Sequence, residues 1–212
     1  MRSSPPLLIS LICGTLLIFL TAAVWAGLTD EVDKAMRQLA LSANTPSAVI
    51  IWKKISFLAS GIVIAPLSVI VVCAFAVLKL RRDAIHFALI MIGGVIIVSG
   101  MKLWIHRPRP AEVFADTLPA SFSFPSGHAL FATAFYVSFA LIACRAIGSR
   151  KRITAGLVAG VLALAVGMSR IFLGVHYPTD VLGGYLAAGL WIAVLELADQ
   201  KYGGWITKRH PT

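Results

Sequence analysis

Charge is scarce in this chain of 212 residues. Asp, Glu, Lys and Arg make up only 13% of it, and just nine residues are acidic; an ordinary soluble domain is about 25% charged. Apolar residues take their place at 58%, more than a soluble fold of this length can hide, which excludes that class and points to a membrane protein. Cysteine is rarer still. Cys13, Cys73 and Cys144 are odd in number, sit inside long apolar runs and match no zinc or redox spacing, so they read as small buried hydrophobes. There is no internal repeat, no low-complexity tract and no sign of a second domain, so residues 1–212 are expected to form one. The shortage of acids leaves a net charge of +10, which raises the question of nucleic acid. The bases, however, lie in short clusters between apolar runs rather than on one basic face, as in cytoplasmic loops of membrane proteins, and no nucleic-acid partner is expected.

A membrane-spanning helix needs about 20 mostly apolar residues. Six candidates run from Leu7 to Leu28, Ile55 to Val77, Ala84 to Met101, His128 to Ile147, Ile153 to Ile171 and Val181 to Ala198. The expected fold is all-α, a polytopic protein of six transmembrane helices. The first run resembles a signal peptide in its basic start at Arg2 and its Val24-Trp25-Ala26 segment, but it is longer than the usual apolar core of one, and an uncleaved helix is the preferred reading. Between the first two runs, Asp30, Glu31, Asp33, Lys34 and Arg37 alternate with Val32, Met36, Leu39 and Leu41. This spacing predicts an amphipathic helix along the membrane surface, with acids in its first turn to suit the helix dipole; a plain solvated helix fits the pattern equally well. Thr45-Pro46 reads as a further helix start.

The distribution of Lys and Arg sets the orientation. The nineteen bases divide eleven to eight. The larger share falls in the two ends of the chain and in the connections holding Lys79, Arg81, Arg82 and Arg150-Lys151-Arg152. Both termini are therefore expected in the cytoplasm, and the third and fifth connections at the periplasmic or outer face of the cell (inner) membrane.

Those two outward connections carry unusual chemistry. The third holds Lys102, His106, Arg107 and Arg109, then Pro125-Ser126-Gly127-His128; the fifth, with the helix end before it, holds Ser169, Arg170, His176 and Asp180. Cations and histidines on one membrane face suit an anion. Ser126-Gly127-His128 opens a helix, where free N–H groups can cradle a phosphate and Gly127 permits close approach. His176 and Asp180 are four apart, and a carboxylate on one ring nitrogen frees the other as nucleophile or base. Each element alone has a plainer reading: a loop-end charge, a helix entry, a structural hydrogen bond. His106, His128, Glu112 and Asp116 show no metal-site spacing.

Taken together, Lys102-x6-Arg109-Pro110, Pro125-Ser126-Gly127-His128 and Ser169-Arg170-x5-His176-x3-Asp180 resemble the three-part signature of the type-2 phosphatidic acid phosphatase family, over residues 102–180. The resemblance implies a metal-independent membrane phosphatase with no cofactor. His176 would form a phosphohistidine, Asp180 would orient it, and His128 would act as acid and then base. Lys102, Arg109 and Arg170 would clamp the phosphate, with Ser126 and Gly127 assisting. His106, Arg107, Glu112 and Asp116 lie outside the signature and are expected to do no more than rim the site. The implied partners are membrane lipids and a lipid phosphate: phosphatidic acid, phosphatidylglycerophosphate or undecaprenyl pyrophosphate. A lipid phosphotransferase would use the same site. A transporter would be expected to place ionisable residues deep in its spans, where this chain has almost none apart from His86.

Overall fold

The computed structural model describes residues 5–111, 114, 120–143 and 149–206. Among these there are helices and no strands: α1 (Pro5–Trp25), α2 (Asp30–Ser42), α3 (Pro46–Phe57), α4 (Gly61–Val77), α5 (Arg81–Ile105), α6 (Gly127–Ala132), a π-helical turn (Thr133–Val137), α7 (Ser138–Ala143), α8 (Ser149–Phe172) and α9 (Pro178–Ile206). Five segments are long and apolar enough to cross a membrane, with α3 and α4 counted as one; the segment Gly127–Ala143 is apolar but shorter. The far end of the fourth expected span, toward Ile147, lies outside the described residues, as do Cys144, Glu112 and Asp116. The third, fifth and sixth expected spans each extend beyond their apolar runs.

The second span differs from expectation. The chain from Ile55 to Val77 is not one helix, because it breaks after Phe57 and restarts at Gly61 with Ser60 as the extended cap residue. Thr45 does cap α3, accepting a bond from the Ala48 N–H at 3.2 Å, with Pro46 in the first turn.

The outer faces of the bundle are apolar. Ile18, Phe19, Ile62, Val69, Ile70, Ile96 and Val161 are all well exposed. Each such side chain forgoes about 1.5–3 kcal/mol if left in water, so these walls belong against lipid. The interior is built around Phe87, Ile90, Leu130, Phe135, Val166 and Ala187. Here α9 is the central element: α1 lies along it, with Cys13 close to Gly189 and Leu190 over Gly14.

Two adjacent glycines near the start of α9 place the site. A Cβ on Gly184 would lie 2.5 Å from the carbonyl oxygen of Ser126, and one on Gly183 would lie 2.6 Å from the Phe124 ring. Any larger residue would push α9 away from the 124–129 segment. Their absent side chains allow the second and third signature segments to touch.

Candidate active site

The site lies where α5 ends, α6 begins, α8 ends and α9 begins. His106 closes α5 in the left-handed conformation (φ 53°), with its N–H on the Lys102 carbonyl at 3.1 Å. The following segment is held when the Ser123 N–H donates to the Arg107 carbonyl at 2.8 Å. Ser126 then caps α6, and its N–H donates to the backbone oxygen of Asp180 at 2.9 Å. On the other side, Gly174 (φ 75°) turns the chain out of α8, and the Val175 N–H returns to the Arg170 carbonyl at 3.1 Å. Pro178 opens α9, as its fixed φ and missing N–H favour.

His176 and Asp180 are both buried. The Nδ1 of His176 lies 3.3 Å from Oδ2 of Asp180. Asp180 Oδ2 also accepts from the Ser123 hydroxyl and from the Tyr177 N–H at 2.9 Å. These partners assign Nδ1 as the protonated nitrogen and leave Nε2 with its lone pair, 3.1 Å from Nη1 of Arg109. Burial drives the imidazole down to about 4, against the upward pull of its bond to Asp180. The ring is therefore neutral at ordinary pH, as a nucleophile must be.

Arg109 adjoins Nε2, and Arg170 lies within electrostatic reach of the ring. Arg109 is anchored by its Nε to the Ser121 carbonyl at 2.6 Å and by Nη1 to the Val175 carbonyl at 2.9 Å. Burial lowers its pKa, partly offset by Asp180. Lys102 donates to the Phe122 carbonyl at 2.6 Å. Arg170 is buried and bonds the Ser56 hydroxyl of α3, while its Nε has no hydrogen-bond partner, which leaves a donor for an anion. His128, in the first turn of α6, lies within electrostatic reach of Arg170, His176, Arg109 and Lys102. The structure thus brings together Lys102, Arg109, Ser126, Gly127, His128, Arg170, His176 and Asp180. Among the described residues no three His, Cys, Asp or Glu side chains converge as metal ligands would.

Two expectations need correction. Arg107 is not a rim residue. It is buried, and it bonds Asp180 Oδ1 at 2.8 Å, Asp33 Oδ2 at 2.7 Å and Thr179 Oγ1 at 2.8 Å. Its guanidinium stacks over the Tyr177 ring, 4.3 Å from the centroid. Burial opposes its charge, but Asp180 and Asp33 outweigh that and hold its pKa above the ordinary value. Nor is α2 merely a surface or solvated helix with acids placed for its dipole. Asp33 is fully buried, Arg37 bonds the carbonyl of Gly174 (3.3 Å), and Asn44, just past α2, bonds that of Phe172 (2.7 Å) at the end of α8. His106 remains exposed at the rim, its ring against Phe122. Ser56, Ser123 and Thr179 were not singled out from the sequence, and Asp33 was read only as an acid suited to the helix dipole. One signal was available: three of the chain's nine acids fall in one turn, in a connection expected on the same side as the cations.

Known proteins share this architecture. The PAP2 superfamily matches residues 83–202. Phosphatidylglycerophosphatase B of Bacillus subtilis is 30% identical over 187 residues, which are 87% of this chain and 91% of that one. An undecaprenyl-diphosphatase of Sulfolobus acidocaldarius is 34% identical over 131 residues, 59% of each chain. The crystal structure of a transmembrane PAP2-type phosphatidylglycerolphosphate phosphatase from Bacillus subtilis superposes with a TM-score of 0.83 at 28% identity, covering 95% of this chain and 98% of the other.

Proposed function

The chain belongs to the PAP2 superfamily, and from that premise we propose that it is an integral membrane phosphatase that removes phosphate from a lipid-linked monoester or pyrophosphate through His176. The observation that carries this reading is the disposition of the His176 ring: Nδ1 faces Asp180, and Nε2 faces Arg109. Nε2 attacks phosphorus while the bond to the leaving oxygen breaks. The incoming phosphate's negative charge offsets the cations and lets His128 carry a proton, which it gives to the departing oxygen. In the second step His128 takes a proton from water, whose oxygen attacks the phosphohistidine, and inorganic phosphate leaves with His176 restored. Arg109 now touches Nε2, so it would swing from the ring to a phosphate oxygen on binding. Lys102, Arg170, the Ser126 hydroxyl and the Gly127 N–H bind the other equatorial oxygens. Three cations supply the charge that phosphoryl transfer needs.

A lipid substrate is supported by the apolar walls and by a groove between α1 and α5. The groove encloses about 590 Å³ and is lined by Leu17, Thr21, Trp25, Met101, Trp104 and Ile105. Its last three residues flank Lys102 on the final turns of α5. None of its lining residues is titratable, so it suits an acyl or prenyl chain rather than chemistry. By the basic-residue bias the site faces the periplasm or exterior and both termini face the cytoplasm.

Purified protein is expected to release phosphate from phosphatidylglycerophosphate, phosphatidic acid or undecaprenyl pyrophosphate in EDTA, with inhibition by vanadate. Absence of release across this panel, or activity that EDTA abolishes and a divalent ion restores, would overturn the reading. Product analysis with an added acceptor lipid separates hydrolysis from phosphoryl transfer to lipid.

A further inference from the structure

Asp180 divides its two carboxylate oxygens between two tasks. Oδ2 serves the His176 ring, with the Ser123 hydroxyl and the Tyr177 N–H. Oδ1 accepts from Arg107 at 2.8 Å. The other guanidinium nitrogen of Arg107 ends on Asp33 at 2.7 Å, with Asp30 beyond it at 3.3 Å. Asp33 also reaches α9 directly, taking the Thr179 N–H at 3.0 Å together with the Thr179 hydroxyl. It thereby satisfies a free N–H in the first turn of α9, one residue before Asp180, from a separate helix. Both Asp33 and Asp180 are fully buried, and Arg107 is nearly so.

A carboxylate fixed at one oxygen can still turn about its last bond; fixed at both, it cannot. We propose that Arg107 and Asp33 are positioning residues for the phosphatase reaction. They lock the Asp180 carboxylate so that Oδ2 meets Nδ1 of His176, which holds the ring in the tautomer and direction that present Nε2 to phosphorus. Arg107 carries the cationic half of this lock, and α2, through Asp33, holds Arg107 in place. The side-chain bonds of Arg107 and Asp33 go to Asp180, Thr179, the start of α2 and each other, and not to Lys102, Arg109 or Arg170, so the pair governs the chemical step and not substrate binding. The proposal rests on His176 being the nucleophile.

The test is steady-state kinetics on a lipid phosphate and on p-nitrophenyl phosphate. Arg107→Gln is expected to lower kcat roughly 10²-fold, the scale of a misplaced reacting group, with KM within about threefold of the parent. Asp33→Asn, an isosteric change, is expected to lower kcat about tenfold, and Arg107→Lys should recover part of the Arg107→Gln loss because it keeps the charge but only one arm. A merely structural role would not depend on Asp180. On an Asp180→Asn background, Arg107→Gln and Asp33→Asn should therefore each cost less than about threefold further. Undiminished kcat in a folded Arg107→Gln protein, a loss confined to KM, or full additivity with Asp180→Asn would overturn the proposal. If Arg107→Gln does not fold, Asp33→Asn and its cycle with Asp180→Asn decide by the same criteria. Full activity in His176→Ala would overturn the phosphohistidine reading itself, whereas an inactive His176→Ala beside a normal Arg107→Gln removes only the positioning role.

Discussion

The α5–α9 pair is joined at both ends by an arginine and an aspartate, yet the two joints differ in kind. At one end, just past the close of α5, Arg107 meets Asp180 in the first turn of α9, with side-chain exposures of 7% and 0%. At the other, Arg82 in the first turn of α5 meets Asp199 with exposures of 34% and 13%. The second joint is the better fork by distance alone, with Arg82 nitrogens 2.7 Å and 2.6 Å from the two carboxylate oxygens. Geometry is therefore not what separates them; solvent is. A half-exposed pair loses little when broken, because water takes over both charges, and is worth about 0–1 kcal/mol. Breaking the buried pair leaves a charge with no partner and costs about 3–5 kcal/mol. One chemical pairing thus forms a dispensable clasp at one end and, in the proposed mechanism, part of the reaction centre at the other.

The contrast is tested most severely at the histidines. His176→Ala is expected to abolish turnover on every substrate, since nothing else can accept the phosphoryl group. His128→Ala should lose lipid hydrolysis severely, because a lipid alkoxide leaves only with a proton. It should still release a burst of p-nitrophenol and then stall with phosphate on His176. Rapid-quench kinetics with mapping of the labelled peptide checks both. Label on His128 in the His176→Ala protein would reverse the two roles.

A second test turns on acid. Because burial holds the His176 imidazole at about 4, below the ordinary value of about 6.5, the free enzyme keeps an unprotonated nucleophile down to that pH. The acid limb of kcat/KM that this group sets is expected near 4. The same depression favours the folded state fully above about 6.5, and that contribution fades as pH falls through the folded value, because the unfolded chain takes the proton first. An acid limb for p-nitrophenyl phosphate centred near 6.5 would mean that the ring is not as desolvated as the fold implies.

The smallest effect is expected at the far end. Arg82→Ala should change thermal stability by no more than about 1 kcal/mol and leave kcat and KM unaltered. A loss of activity comparable to that of Arg107→Gln would erase the distinction between the joints.

These two joints also mark how far the sequence can be read. The spans were legible because a run of about 20 apolar residues suits little except a bilayer. The residues around His176 were legible because their types and spacing form a recognisable set, and the structure gathers all eight. The break at residues 58–60 was not visible, since Leu58 and Ala59 continue the apolar run and only Ser60 and Gly61 hint at a restart. The role of α2 was not visible for a deeper reason. Amphipathic spacing says that a helix has two faces, not what the polar one meets. Asp33, Arg107 and Asp180 are separated by more than 70 residues at each step, and no local pattern ties them. Their partnership exists only once α2 folds back over the ends of α8 and α9.

The apolar walls carry a further consequence. A reaction centre mounted at the ends of lipid-embedded helices meets a lipid substrate by diffusion within a sheet. The quantity that sets its rate is the fraction of the surface that is substrate, and bulk molarity is nearly irrelevant. Diluting a fixed amount of substrate with inert phospholipid or detergent should slow the enzyme, although the substrate concentration counted per litre stays the same. Enlarging the water volume around the same vesicles should leave it almost untouched. For a protein whose Ile18, Phe19 and Ile70 stand exposed on the outer walls of its bundle, the bilayer is the reaction vessel, and its area takes the place of volume.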